Sequence, residues 1–243
     1  MSGEFACPTR RVAQSSRMTE PLQGVQRIQR NVLARSEQRL LAWLCPRLPA
    51  GLTPDRLTAL AMLSAFVSGA GYALSNLDPA WLALAAIGYP LHWFGDSLDG
   101  TIARYRGIER PRYGYFIDHS CDGLAVLVIF GGLGLSPYMR MDVALFAVAA
   151  YLMLAVHTFL RAKVQGDFPL SHMGAGPTEG RLFMIALTIA MGWLGPDAGR
   201  VGEYNAFDLL FGAMASVLVI VFVVQTLQTG RVLARADRDA REV

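Results

Sequence analysis

Charge is what this sequence has least of. Only 17% of its 243 residues are Asp, Glu, Lys or Arg, against roughly 25% in ordinary soluble domains. Hydrophobic residues make up 53%. So little charge, with apolar runs of about twenty residues recurring, excludes one large soluble core and reads as an integral membrane protein. Cysteine is also scarce. Cys7, Cys45 and Cys121 are odd in number and lack metal or disulfide spacing, which leaves reduced, structural thiols. Internal repeats and low-complexity tracts are missing. Residues 1–26 are polar and lack the apolar stretch of a cleavable signal peptide, so this segment is expected to be retained and poorly ordered. A net charge of +3 is too small to point to nucleic acid, and no nucleic-acid partner is expected.

What is present is a set of six apolar segments, at about 54–75, 80–103, 115–136, 142–162, 178–195 and 207–228. Each is long enough to cross about 30 Å of hydrocarbon as a helix. The expected fold is all-α: a polytopic membrane protein of six transmembrane helices. Residues 27–48, with Arg30, Arg35 and Arg39 set among Ile28, Val32, Leu40, Leu41, Trp43 and Leu44, suit an amphipathic helix in the inner interface. Residues 49–230 then form the six-helix domain, and 231–243 a basic tail. Thr53 is a natural N-cap for the first span, followed by Pro54 at the first helical position and Asp55 in the first turn.

The cationic residues orient the bundle. With the amino terminus inside, cytosolic segments hold nine Lys or Arg up to Arg56, four in 104–112, three in 161–181 and four from Arg231 on. Only Arg140 and Arg200 remain outside, so the positive-inside rule places the protein in the cell membrane with both termini in the cytoplasm. Trp81, Tyr138 and Trp193 fall near outer ends, as an aromatic belt would. Small residues at Ala65/Gly69 and Gly131/Gly132/Gly134 would let helices approach closely.

The scarce acids are not scattered. Asp96 and Asp99 are i, i+3 at the end of the second span, and Asp118 and Asp122 are i, i+4 at the start of the third, so each pair shares a helix face. Four carboxylates brought to one small volume at membrane depth require a hard divalent cation between them. Beside Asp96 and Asp99 lie Gly100 and Ala103, a shelf of small residues, then Arg104, whose fork suits phosphate oxygens. Together they describe a diphosphate-binding site, where divalent ions about 3.5–4 Å apart would bridge two phosphates. The site faces the cytoplasm, beneath a loop at 161–180 that could cover it.

The run Asp96-x2-Asp99-Gly100-x2-Ala103-Arg104-x9-Gly114-x3-Asp118-x3-Asp122 resembles the signature of the CDP-alcohol phosphotransferase family, membrane enzymes that displace CMP from a CDP-linked donor. The usual spacing between Arg and the second Gly is eight; the extra residue here falls in the Arg106–Arg112 turn. The resemblance covers roughly 27–228, with Asp55 standing where the family usually has Asn. It implies Asp96, Asp99, Asp118 and Asp122 as ligands of Mg²⁺ or Mn²⁺, with two ions expected, and Asp122 also as general base. It implies Gly100, Ala103, Arg104 and Gly114 for the CDP part, an alcohol acceptor, and a homodimer in contact with membrane lipids.

Two features bear on the acceptor. Relatives using phosphorylated acceptors commonly carry Lys or Arg directly after the last Asp, where this chain has Gly123. The segments Asp118–Asp122 and Gly176-Pro177-Thr178-Glu179 are similar to the choline/ethanolamine phosphotransferase branch, in which His119 and Glu179 would pair as base and orienting acid. For Glu179 a first-turn helix acid is an equal alternative. An uncharged acceptor is therefore the expectation; a phosphorylated one such as glycerol phosphate or inositol phosphate is the alternative, with Arg161, Lys163 or Arg181 supplying the cation. A cation or proton transporter is a remote rival, disfavoured because the outer halves of the spans are almost purely apolar.

Overall fold

The computed structural model describes residues 26–28, 33–165, 167–169 and 176–241. The expectations for residues 1–25, for Cys7 and for most of the inner loop between 165 and 176 lie outside the described residues. Within the described residues seven α-helices follow one another: α1 (Ala34–Leu44), α2 (Pro54–Leu74), α3 (Leu82–Arg106), α4 (Pro111–Gly134), α5 (Met141–Gln165), α6 (Pro177–Leu194) and α7 (Ala206–Asp239). A three-residue parallel pairing of β1 (Gln26–Ile28) with β2 (Asp167–Pro169) links the segment before α1 to the α5–α6 connection. The fold is that of an all-α polytopic membrane protein.

Helices α2 to α7 stand where the six spans were expected. Four of them, α2, α4, α5 and α7, are long and apolar enough to cross a membrane. The other two are long enough but more polar: α3 holds Asp96, Asp99, Arg104 and Arg106, and α6 begins with Glu179 and Arg181. The basic segment expected after 230 continues α7 as helix to Asp239, because beyond Gly230 the run has no breaker and mostly good helix formers.

α2 begins as its sequence predicts, with Thr53 Oγ1 accepting from Arg56 N at 3.3 Å and Pro54 opening the helix. It is the spine of the bundle. α3 and α4 both pack along it, α6 lies against α3, α5 against α4, and α7 against α5. Small residues allow the close crossings. A Cβ on Gly132 of α4 would sit 2.1 Å from the Gly69 carbonyl oxygen of α2, and one on Gly95 of α3 only 2.5 Å from that of Leu57. No side chain fits at those contacts, so the backbones themselves touch. Deeper, the buried Tyr72 hydroxyl meets Tyr89 Oη at 3.0 Å and Thr188 Oγ1 at 2.5 Å, fixing the relative depth of α2, α3 and α6.

α1 docks by one face. Leu41 and Cys45 are buried with Leu57, Leu98 and Ile102, while Leu40 and Trp43 remain exposed, which suits a helix resting between bundle and bilayer. Burial pushes the Cys45 thiol above its usual range, in keeping with an unreactive structural role. At the end of the bundle away from the acidic motif, the outer end by the arginine asymmetry of the sequence, Trp81 and Trp193 are exposed, but Tyr138 is not a belt residue: it is buried edge-on to Phe207.

Candidate active site

The two halves of the acidic motif come together because α3 and α4 form an antiparallel pair joined by a short turn at the inner end. Gly107, with φ 65°, ends α3 in the left-handed region, and Ile108 N reaches back to Ala103 O at 3.0 Å. Pro111 opens α4. Both helices lean on α2 more than on each other, and the two acidic pairs stand one on each side of the gap between them.

On the α4 side, Asp118, His119 and Asp122 each offer a ligand atom, all within 4.8 Å of one another. His119 Nδ1 lies 3.7 Å from Asp118 Oδ2 and 3.7 Å from Asp122 Oδ2. Its ring is held edge-on to Tyr115 and tilted against Phe159. On the α3 side, Asp99 Oδ2 accepts from Thr58 Oγ1 at 2.6 Å, and Asp96 Oδ2 accepts from Arg181 Nη2. The Asp118 carboxylate lies within electrostatic reach of Asp122, Asp96 and Asp99, so all four acids share one electrostatic environment. Buried His92, one turn before Asp96, feels Arg181, Asp96 and Asp122.

The donor set fits a hard divalent cation. Among the described residues Asp118, His119 and Asp122 form the convergent ligand group, while Asp96, bonded to Arg181, and Asp99, bonded to Thr58, stand outside that group but within electrostatic reach of it, so the excess negative charge is one a cation would balance. None of the four is deeply sealed: the Asp96, Asp118 and Asp122 side chains are 21%, 31% and 37% exposed.

Beside them Gly100 and Ala103 are half-buried and Arg104 is exposed. Arg104 Nη2 donates to Thr101 Oγ1 at 3.2 Å, and a Cβ on Gly100 would sit 3.4 Å from Arg104 Nη1. The missing side chain at 100 lets the guanidinium fold back along α3. Gly114 is exposed in the first turn of α4, and a methyl group placed there would meet nothing within 4 Å. Asp55 is paired with Arg110.

Glu179 lies elsewhere in its bonding. Its Oε2 accepts from Gly176 N at 3.0 Å and its Oε1 from Leu33 N at 3.1 Å, so it caps α6 and holds the start of α1. Of the two roles open to it in the sequence, the capping role has these bonds behind it, while His119 Nδ1 faces the two α4 carboxylates.

Two participants have little voice in the sequence. Thr58 reads there only as part of the helix opening, although its place one turn inside α2 aims it at α3. Glu37 gives a fainter hint still, as a lone acid inside an Arg-rich amphipathic segment. Its Oε1 accepts from Trp93 Nε1 and Ser97 Oγ, both at 2.9 Å, and its Oε2 from Thr178 Oγ1 at 2.9 Å.

Comparison with known proteins adds a family and two relatives. The family profile described as CDP-alcohol phosphatidyltransferase matches residues 51–228. Archaetidylinositol phosphate synthase of Pyrococcus horikoshii is 30% identical over 154 residues, 63% of this chain and 75% of that protein. Phosphatidylinositol phosphate synthase of Mycolicibacterium smegmatis is 31% identical over 123 residues, 49% of this chain and 53% of that protein.

Proposed function

The chain belongs to the CDP-alcohol phosphatidyltransferase family, and from that membership we propose that it transfers a lipid phosphate group from a CDP-linked donor to a phosphorylated alcohol of the inositol phosphate type, releasing CMP. It is a membrane-embedded phosphotransferase, and the finer points that follow are our reading of it.

The names of both relatives describe lipids whose inositol carries a phosphate of its own. That favours a phosphorylated acceptor over the uncharged one expected from the sequence. The reason the sequence pointed the other way is geometric. A Cβ at Gly123 would lie 3.6 Å from Leu152 of α5, so a side chain there would start toward α5, and the missing cation weighs less against a phosphorylated acceptor. The single observation carrying the new reading is Arg181: a permanent cation, its side chain only 14% exposed, bonded to Asp96. A phosphate dianion on the acceptor would find its partner there.

The chemistry then divides among named residues. Asp96, Asp99, Asp118 and Asp122 would hold Mg²⁺ or Mn²⁺, two ions fitting four carboxylates, and the metal supplies neutralisation of the diphosphate and of the departing CMP. Arg104, on the Gly100–Ala103 shelf with Gly114 in the first turn of α4, grips the CDP phosphates. Arg181 orients the acceptor so that its hydroxyl oxygen approaches the lipid-linked phosphorus. As that P–O bond forms and the bond to CMP breaks, the hydroxyl proton passes to a carboxylate, for which Asp122 is best placed, with His119 beside it as a relay. Positioning and electrostatics do most of the work in such transfers. The site lies at the cytoplasmic face of the cell membrane by the arginine asymmetry. A homodimer is implied by the family resemblance alone, because the Ala65/Gly69 and Gly132 positions are buried between α2 and α4.

The test is direct. Purified protein in liposomes is given a CDP-linked lipid donor and, in parallel, inositol, inositol phosphate, glycerol phosphate and ethanolamine, with products read by mass spectrometry. A phosphorylated alcohol should be consumed at the highest kcat/KM. Preference for ethanolamine or free inositol would overturn the acceptor assignment and restore the uncharged reading.

A further inference from the structure

We propose that Glu37 is a positioning residue for the acceptor subsite: from α1 it sets the distance between α3 and α6 at which Arg181 meets Asp96. This rests on the assignment of Arg181 to the acceptor phosphate.

Three side-chain donors on two helices converge on this one carboxylate. Trp93 and Ser97 belong to α3, and Ser97 adjoins Asp96. Thr178 belongs to α6, on the same face as Arg181 and one turn before it. The bond is answered in the opposite direction, because Leu33 N at the start of α1 donates to Glu179 of α6. The first turns of α1 and α6 are thus tied twice, and α1 carries that tie across to α3.

The placement matters because α6 is otherwise pinned farther in. Thr188 joins the Tyr72–Tyr89 network in the core, two turns beyond Arg181, or about 10 Å along the axis. Arg181 therefore sits between an inner anchor at Thr188 and an end anchor at Thr178. With the end anchor lost, the first turn of α6 keeps the Glu179 bonds and the Arg181–Asp96 bond, with Met184 packed in the core a turn further on, and the guanidinium loses its fixed approach to Asp96. Arg104 and the Gly100–Ala103 shelf lie one to two turns further along α3, and Arg104 is bonded within α3, to Thr101. The acceptor should feel the loss and the donor should not.

Glu37→Ala is expected to raise the acceptor KM about tenfold, the effect of one charge-assisted hydrogen bond, with donor KM and melting temperature little changed. Glu37→Gln should restore the acceptor KM to within about twofold, since the amide oxygen accepts from Trp93 and Ser97 and the Thr178 hydroxyl turns to accept from the amide nitrogen. In an Arg181→Ala background, Glu37→Ala should add nothing. Donor and acceptor KM rising together, or the full increment persisting without Arg181, overturns the proposal for Glu37 alone. An Arg181→Ala protein with unchanged acceptor KM overturns the underlying assignment of Arg181, and Glu37 with it. Should Glu37→Ala fail to fold, Thr178→Val removes only the α6 arm and carries the same test: a raised acceptor KM that vanishes without Arg181 supports the proposal, and an unchanged one overturns it.

Discussion

The two ends of this bundle both bury charge, and they treat it oppositely. At the outer end Asp208 is 2% exposed and fully answered: Oδ1 accepts from Arg140 N at 2.8 Å and Oδ2 from Asn205 N at 3.0 Å. Asn205 in turn accepts from Asp208 N at 2.9 Å and donates to the Tyr138 carbonyl at 3.0 Å. Those bonds cap α7 and lock it to the α4–α5 connection. At the other end four partly exposed carboxylates lie within electrostatic reach of one another, Asp99 bonded to Thr58, Asp96 to Arg181, and Asp118 and Asp122 beside His119. Satisfied polar groups specify structure; charges left in excess cost stability and are kept for a ligand. The outer network is a lock and the inner one a socket.

The comparison breaks if the two ends respond alike to neutralisation. Asp118→Asn should lower kcat by at least about 10²-fold, the range seen when a preorganised electrostatic group is lost. Removing one of four mutually repelling charges should meanwhile leave the metal-free melting temperature unchanged or higher. Turnover within tenfold of the parent would remove Asp118 from the metal set. Chelation belongs with this test: CMP release should stop in EDTA and return with Mg²⁺ or Mn²⁺, and activity surviving chelation would contradict the metal-bridged diphosphate.

At the outer end the signs reverse. In Asp208→Asn an amide NH₂ faces a backbone N–H where a carboxylate oxygen stood, which should cost about 1–3 kcal/mol of stability with kcat per folded molecule retained. Thermal unfolding in detergent beside the liposome assay reads both quantities. If Asp208→Asn melts like the parent, the lock is not what holds α7.

Much of this contrast is legible in the sequence, and the limits have physical reasons. Helix positions follow from apolar length, which a bilayer dictates almost alone. The pairing of Asp96 with Asp99 and of Asp118 with Asp122 follows from helical periodicity. Register between helices does not follow, because nothing local encodes that Thr58 meets Asp99, or that Arg181 crosses from α6 to Asp96. The acceptor is hard to read for the same reason: Gly123 is next to Asp122 along the chain but turned about 100° from it around the helix, so the residue type there is weak evidence for either acceptor. Tyr138 illustrates the remaining gap, since a tyrosine near a membrane edge reads as a belt residue until the fold covers it.

Within the inner end, donor and acceptor sides should also separate. Arg104→Ala is expected to raise the donor KM about tenfold, as loss of one charge-assisted contact would, while the acceptor KM stays near the parent value. An unchanged donor KM would take Arg104 out of the CDP subsite and leave the Gly100–Ala103 shelf without its cation.

The smallest effect is expected at Asp55, where the family usually has Asn. Its carboxylate pairs with Arg110, both side chains being about half exposed, at 54% and 50%, and such pairs are worth only about 0–1 kcal/mol. Asp55→Asn should therefore leave folding intact and change the donor KM by less than about fivefold, the most that an interaction of this size can supply. Arg110 would keep its stacking over the Tyr113 ring, 4.2 Å from the centroid, so the turn between α3 and α4 need not move. A donor KM that fell tenfold or more would show that position 55 reaches the nucleotide, and that this chain gave up a donor contact for the ion pair. A negative charge at the rim would then belong with the socket's chemistry instead of with the solvated surface around it.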